Sequence, residues 1–286
     1  MTIKLIIDGS IDLPPHIIEQ YDIPVVQPII IIDGQELING IDISQEEFFE
    51  RQRTTRRLPQ TSQPSPQQFA EAFEEALNTH ERVLYIGLSS ALSGTFNSAQ
   101  QAAAQFPTDK IVLHDSYTIS GAAGFQVIAA NRVLAKGGTL EEALAAAQRT
   151  HQETELIFSV DDLTYLIKGG RIGRVAGAIG TLLNIRPIIQ VDKKEGVLAP
   201  ATRVRSFKKA MRKILEQAVN IVGKGQPGRF MLLYGEMMEP EAQKFTDDLH
   251  KHFDIRWLHS AVPSPVLCAH TGPRALGLVL APGDWE

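Results

Sequence analysis

The chain has 286 residues, 43% of them apolar and 21% charged, a length that suits two domains and a composition ordinary for a globular fold. A net charge of −5 points away from nucleic acid and anionic membranes, and a single cysteine, Cys268, excludes a disulfide framework and a cysteine-rich zinc site. "MTIKLIIDGS" reaches a turn too early for a signal peptide, and no apolar run approaches the roughly 18 residues that span a bilayer, so a cytoplasmic protein without stable membrane insertion is expected.

"IKLIID" is an unbroken apolar run, the pattern of a strand buried on both faces of a parallel sheet. "PVVQPIIIIDGQELING" reads as a strand, an Asp33-Gly34 turn and a short returning strand. "RLPQTSQPSP" reads as a proline-punctuated loop. Ser65 then caps a helix through "QQFAEAFEEAL", with Pro66 at its first position and Gln68 placed to close a capping box. "RVLYIGL" and "KIVLHDS" are further strands. "TFNSAQQAAAQF", "GAAGFQVIAANRVLAKGG" and "TLEEALAAAQRTHQ" are helices. This alternation predicts an N-terminal doubly wound, mostly parallel α/β domain over residues 1–155.

The second half has another rhythm. "ELIFSV" and "VLAPATRV" read as strands, "SFKKAMRKILEQAV" as a basic helix, "RFMLLYGE" as a strand and "PEAQKFTDDLHKHF" as a helix. The end, "IRWLHSAVPSPVLCAHTGPRALGLVLAP", reads as strand, loop, strand. A C-terminal mixed-sheet α+β domain over residues 156–286 is expected, and the fold class is α/β with two domains.

Several catalytic signatures fail on spacing. Gly87-Leu88-Ser89-Ser90 is followed by Ala91 where a nucleophile elbow needs glycine, and Gly223-Lys224 is followed by Gly225 where a P-loop needs Ser or Thr. "KGGRIGRVAGAIG" never supplies the dinucleotide-binding glycine spacing. His250 and His252 fall on different faces of their helix, which makes them poor joint metal ligands.

What remains is a concentration of hydroxyls. In "LSSALSGTFNSAQ" a strand hands over to a helix at Ser93-Gly94-Thr95. The first N–H groups of a helix lack partners and together carry about half a positive charge, so this stretch is a candidate anion cradle. A helix cap is the ordinary alternative. Thr61-Ser62 is a second hydroxyl pair, with an ST-turn as its ordinary reading. His270 and Thr271 stand in the loop of the terminal strand–loop–strand segment. Gly169, Gly170, Gly173, Gly177 and Gly180 crowd what reads as a loop and helix start, where they allow either helix packing or a ligand chain.

"DGSIDLP", "TSQPSP", "SSALSGTFNSA", "VDDLTYLIKGGRI" and "HTGPRALGL", in this order and over nearly the whole chain, resemble the DegV family, the fatty-acid-binding subunits of bacterial fatty acid kinase. The family usually reads Asp-Ser-Thr or Asp-Ser-Ser where this chain has Asp8-Gly9-Ser10. The resemblance implies a two-domain protein that holds one long-chain fatty acid, with the C-terminal domain forming much of the acyl-chain pocket. It implies that Thr61, Ser93 and His270 bind the carboxylate, joined in their loops by Ser62, Gly94 and Thr95. The implied partner is a catalytic kinase subunit that converts the bound acid to an acyl phosphate for phospholipid metabolism. On this reading the chain has no catalytic residue of its own, no metal and no cofactor. Arg171 and Arg203 are candidates for the partner-facing surface, with solvated charge as the alternative. A serine-dependent acyl hydrolase or transferase, and a lipid-sensing signalling module, are the competing functions.

Overall fold

The computed structural model describes residues 2–55, 57–179 and 185–285. It contains two compact units. The first is the chain through Gln152 together with Lys193–Gly196 and Ser264–Val266; the second is Glu153–Asp192, Val197–Pro263 and the chain from Leu267 onward.

In the first unit, β1 (Ile3–Asp8) is followed by α1 (Pro15–Gln20), β2 (Val25–Val26), β3 (Ile29–Ile32), β4 (Gln35–Ile38), α2 (Gln45–Thr54) and β5 (Gln60–Ser62). Then come α3 (Pro66–Leu77), β6 (Arg82–Gly87), α4 (Thr95–Ala103), β7 (Ile111–Asp115), α5 (Ser120–Ala135) and α6 (Leu140–Glu153). Four strands form a parallel sheet in the order β2-β1-β6-β7. β1 and β6 are its inner strands, which is why their sequences are unbroken apolar runs. Phe69, Phe73, Tyr85, Phe96 and Phe106 pack ring against ring beneath α3 and α4, with Phe69 meeting Tyr85 edge-on at 5.2 Å.

Local signals are realised closely here. Ser65 and Gln68 form the reciprocal capping box, at 3.2 and 2.8 Å. Asp33 and Gly34 both take positive φ, as a two-residue hairpin turn requires. Non-local pairing departs from the sequence reading. The run "VVQPIIII" is not one strand: it breaks at Gln27-Pro28, leaving β2 in the parallel sheet and β3 in a separate antiparallel sheet, β4-β3-β5. Pro28 has no N–H to continue a ladder. Its ring also explains Gly9, because a Cβ at that position would lie 2.4 Å from Gln27 Oε1 and 2.7 Å from Pro28 Cδ. Thr61 and Ser62 stand not in a loop but on β5, opposite Ile30 and Ile29. Helix α2 was not expected; Ser44 caps it by accepting from Glu47 N–H at 3.1 Å.

The second unit holds β8 (Glu155–Val160), α7 (Thr164–Lys168), α8 (Val175–Ile179), β9 (Arg186–Val191), β10 (Leu198–Val204) and α9 (Phe207–Val222). They are followed by β11 (Pro227–Tyr234), α10 (Glu239–His252), β12 (Asp254–Ala261), α11 (Pro265–Thr271) and β13 (Ala275–Pro282). The six-stranded sheet runs β10-β9-β8-β13-β11-β12 and is antiparallel except for β11–β12, hence mixed. α9 and α10 bury Ile214, Ala218, Phe245 and Leu249 against Phe230, Leu232 and Leu278 of the sheet.

The terminal "strand, loop, strand" reading is corrected by α11: His270 and Thr271 lie in the last turn of a helix. Pro265 opens that helix. Gly272, at φ 74°, closes it by donating its N–H to Cys268 O at 2.9 Å. Flanking prolines and a length of seven residues hide the helical period. Of the crowded glycines, Gly169 ends α7 and Gly177 lies inside α8. Gly180 lies outside the described residues.

The tip between β9 and β10 counts with the first unit for a visible reason. His151 Nε2 donates to Lys193 O at 3.1 Å, and Lys193 Nζ donates to Gln152 O at 2.6 Å. Gly196, at φ 65°, sits so close to Ser89 that a Cβ would come within 2.1 Å of its hydroxyl.

Candidate functional site

β2 lies on one side of β1 while β6 and β7 follow on the other, so the strand order reverses between β1 and β6. In open parallel sheets, ligands sit beyond the carboxyl ends of the strands at such a reversal. Here those ends are Asp8 and Gly87, and the chain after Gly87 is the hydroxyl-rich stretch.

Asp8 is 1% exposed and ties these two ends together. Its Oδ2 accepts from Tyr85 Oη–H at 2.8 Å and from Leu88 N–H at 3.0 Å. Its Oδ1 accepts from Ser10 N–H at 3.0 Å and from the Ser10 hydroxyl. Burial pushes the Asp8 carboxyl above the usual carboxylate range, although all these donors act in the opposite direction. Leu88 therefore leaves the strand in a fixed direction.

Ser93 Oγ and Thr95 Oγ1 are 2.9 Å apart, and Ser93 Oγ also accepts from Thr95 N–H at 3.2 Å. Gly94 is the N-cap of α4 and brings no side-chain cap of its own. Ser93 takes the Thr95 N–H, the first of the helix, and the rest of the first turn keeps its positive end. The Thr61–Ser62 strand reaches this place through Gln63. Gln63 Nε2 donates to Ser98 Oγ at 3.0 Å, and Gln63 Oε1 lies 1.9 Å from where a Gly94 Cβ would be. Successive strand residues face opposite ways, so half-buried Thr61 and exposed Ser62 diverge. Gln63 was missed in the sequence, where its only signal is its place directly after the two hydroxyls.

The remaining candidates belong to the second unit. His270 packs on Gly169, whose Cβ, were there one, would lie 2.4 Å from His270 Nδ1. Arg171 Nη1 donates to Gly169 O at 2.6 Å. Burial, with a smaller push from the Arg171 charge, lowers the His270 imidazole to about 4, so it is neutral at pH 7. Arg203 is exposed on β10, opposite Pro187.

Asp12 shifts the other way: burial raises its carboxyl to about 6, against hydrogen bonds from Ser120 and Ser264. A raised carboxyl contributes stability that is complete below about 3.8 and lost as pH rises through about 6; a lowered imidazole contributes stability that is complete above about 6.5 and lost as pH falls through about 4. Acidification from pH 7 to pH 5 is expected to strengthen the region around Asp12 and weaken that around His270, each by about 1–2 kcal/mol. Amide exchange at residues 9–13 and 168–171 should change in opposite directions; changes of the same sign would contradict this.

The first unit offers hydroxyl and amide donors, and the second a neutral imidazole. Ser93 is bonded to another hydroxyl rather than to a base, which leaves nucleophilic activation unsupported. Among the described residues no three His, Cys, Asp or Glu side chains cluster as metal ligands, and no helix is long and apolar enough to cross a membrane.

Comparison with known proteins agrees along the full length. A DegV domain-containing protein of Deinococcus radiodurans is 37% identical over 281 residues, covering 98% of this chain and 96% of the relative. A DegV family protein from Thermus thermophilus, whose structure is described as fatty acid binding, superposes with a TM-score of 0.88 at 30% identity, covering 98% of this chain and 99% of that one. DegV of Bacillus subtilis, described as a fatty acid binding protein, gives 0.88 at 26% identity with the same coverage. The family model described as "Uncharacterised protein, DegV family" matches residues 2–283, and with the two-unit fold and the strand-end hydroxyl loops in place, this chain belongs to the DegV family.

Proposed function

We propose that this chain binds a long-chain fatty acid and presents its carboxylate to the catalytic subunit of a fatty acid kinase, which phosphorylates it to an acyl phosphate. The observation that carries the reading is the full-length match, at a TM-score of 0.88, to a Thermus thermophilus protein described as fatty acid binding. The donor-rich chain at the strand-order reversal supports it. In this reading Thr61, Ser93 and His270 serve the carboxylate, with Ser62, Gly94 and Thr95 beside them, and Arg203 faces the kinase. Arg171, whose guanidinium is turned onto Gly169 O, serves the kinase less directly. The second unit supplies much of the acyl pocket, and the chain itself turns nothing over.

The energetics divide the labour. Taking a carboxylate from water costs several kcal/mol, and two or three charge-assisted hydrogen bonds of about 1.5–3 kcal/mol each only offset this. Burial of a long acyl chain at about 0.8 kcal/mol per CH₂ contributes on the order of 10 kcal/mol before ordering costs. The head group orients the ligand and the chain retains it.

Denaturing extraction of the purified protein followed by mass spectrometry should release a long-chain fatty acid at close to one per chain; protein that carries none and takes none up from a fatty-acid solution refutes the reading. Ser93→Ala and Thr61→Ala are expected to lower kinase-dependent phosphorylation about tenfold or more while changing lipid retention less than about threefold, the loss of one charge-assisted bond at the reacting end. Normal phosphorylation rates in both variants would count against the assigned head group. A pull-down with the tagged chain tests for the kinase itself.

A further inference from the structure

We infer that Asp12 is a positioning residue for His270: its carboxylate holds the start of helix α11, and His270 stands in the last turn of that helix. The inference rests on the proposed function for what His270 does, but not for how His270 is held.

Asp12 Oδ1 accepts from Ser264 N–H at 2.9 Å, and Asp12 Oδ2 accepts from Ser120 Oγ–H at 2.5 Å. Ser264 directly precedes Pro265, the first residue of α11. A further grip at this end is weak: the Cys268 Sγ–H donates to Pro263 O at 3.4 Å, and it does not hold the Ser264 amide. Pro265 has no N–H, and the Ser264 hydroxyl, the ordinary capping group, is buried with no hydrogen-bond partner among the described residues. Seven residues make two helical turns, a length that does not hold its own direction in water, so the axis of α11 is set by what grips its ends. Gly272 closes the far end; Asp12 fixes the near one. A tilt at Ser264 reaches His270 along about 9 Å of helix.

Asp12 is itself held firmly. Gly124 of α5 approaches so closely that a Cβ there would lie 2.3 Å from Asp12 O. Ser120 takes a left-handed φ of 61°, rare for a residue with a side chain, and its N–H donates to Ser10 O at 3.0 Å. Residues kept in such backbone regions cluster where the geometry serves a site. The backbone here aims the Ser120 hydroxyl at Asp12, the second carboxylate of "DGSIDLP".

The test uses the full-length chain as Asp12→Ala, Asp12→Asn and Ser264→Pro. Two quantities are read: the titration midpoint of the His270 imidazole by NMR, and the rate of kinase-dependent phosphorylation of the bound fatty acid. In Asp12→Ala the His270 midpoint should rise by a unit or more from about 4, as the ring gains access to water, and the phosphorylation rate should fall several-fold. Asp12→Asn keeps an acceptor for the Ser264 amide and should leave both near wild type, a rescue that loss of general stability does not predict. Ser264→Pro removes the donor, together with a hydroxyl that has no hydrogen-bond partner among the described residues; it should reproduce the alanine result and stands in for it if Asp12→Ala does not fold. A folded Asp12→Ala or Ser264→Pro with an unmoved His270 midpoint overturns the inference. A wild-type protein that binds no lipid sinks the fatty-acid reading alone, because the imidazole titration needs no ligand.

Discussion

Asp8→Ala is expected to destabilise the first unit by about 5 kcal/mol: four buried donors lose their acceptor, the two that reach it across the fold at about 1–3 kcal/mol each, and the packing of the carboxyl is lost. Those two are Tyr85 Oη–H and Leu88 N–H, which reach Asp8 across 77 and 80 residues of sequence, while the Ser10 amide and hydroxyl are local. Tyr85 is fully buried among Phe69, Phe73 and Phe96, so its hydroxyl cannot swing to water. Gly87 makes room for this position: a Cβ there would lie 2.5 Å from the same hydroxyl. A loss of this size corresponds to a fall in unfolding midpoint of about 10–20 °C for a unit of this length, measured by circular dichroism. Asp8→Asn keeps one acceptor oxygen but turns an NH₂ toward a donor, and should cost about half as much. The functional trace is separate: amides from Leu88 to Thr95 should lose exchange protection first, because Asp8 fixes where that stretch leaves the sheet. An alanine variant within about 1 kcal/mol of wild type would show that water replaces the carboxylate and that the loop holds its own course.

The contrast between what Asp8 does and how it reads in sequence shows where legibility stops. The strand-to-helix handover at residues 88–95 was visible because its signals are local: an apolar run, then hydroxyls and a glycine, then a helical stretch. The capping box of α3 and the Asp33-Gly34 turn were visible for the same reason. What supports the handover was not, because Asp8 meets Leu88 only through the order of the sheet. The break at Gln27-Pro28, the pairing of Thr61 with Ile30, and the bridge from Gln63 to Ser98 are likewise set by partners distant in sequence. Helix α11 failed for another reason. Two turns framed by prolines carry too few periodic positions to announce a helix. His270 reads in sequence only as a histidine in a loop, and its carboxylate role comes from the family resemblance. The structure adds a physical ground, a half-buried neutral imidazole against a bare backbone.

That bare backbone gives the second large effect. Gly169 and Gly170 are adjacent, yet each is glycine for its own reason. Gly170 takes φ 72° with nothing within 4 Å of a Cβ, so it serves conformation. Gly169 has φ −73° and ψ −8°, ordinary helical values that any residue adopts, so it serves space. The space is bounded by His270, whose Nδ1 and Cε1 would lie 2.4 and 3.1 Å from the added carbon, and by Tyr165 O at 2.9 Å. Gly170→Ala should therefore cost only the left-handed penalty of about 1–2 kcal/mol and leave lipid binding intact. Gly169→Ala meets no left-handed penalty, but its Cβ would lie 2.9 Å from the backbone Tyr165 O and must push the imidazole away by about 1 Å, and a half-buried ring of this kind has neighbours on its other side. Its stability cost should be about 1–3 kcal/mol, similar to that of its neighbour, while kinase-dependent phosphorylation falls about tenfold or more and fatty-acid retention changes less than about threefold. The pair separates function from stability: two alanines one residue apart, with comparable unfolding midpoints and unequal rates of kinase-dependent phosphorylation. Equal phosphorylation rates in both would mean that the position of His270 does not matter to the ligand, and the carboxylate would then have to be held by the hydroxyls of the first unit alone.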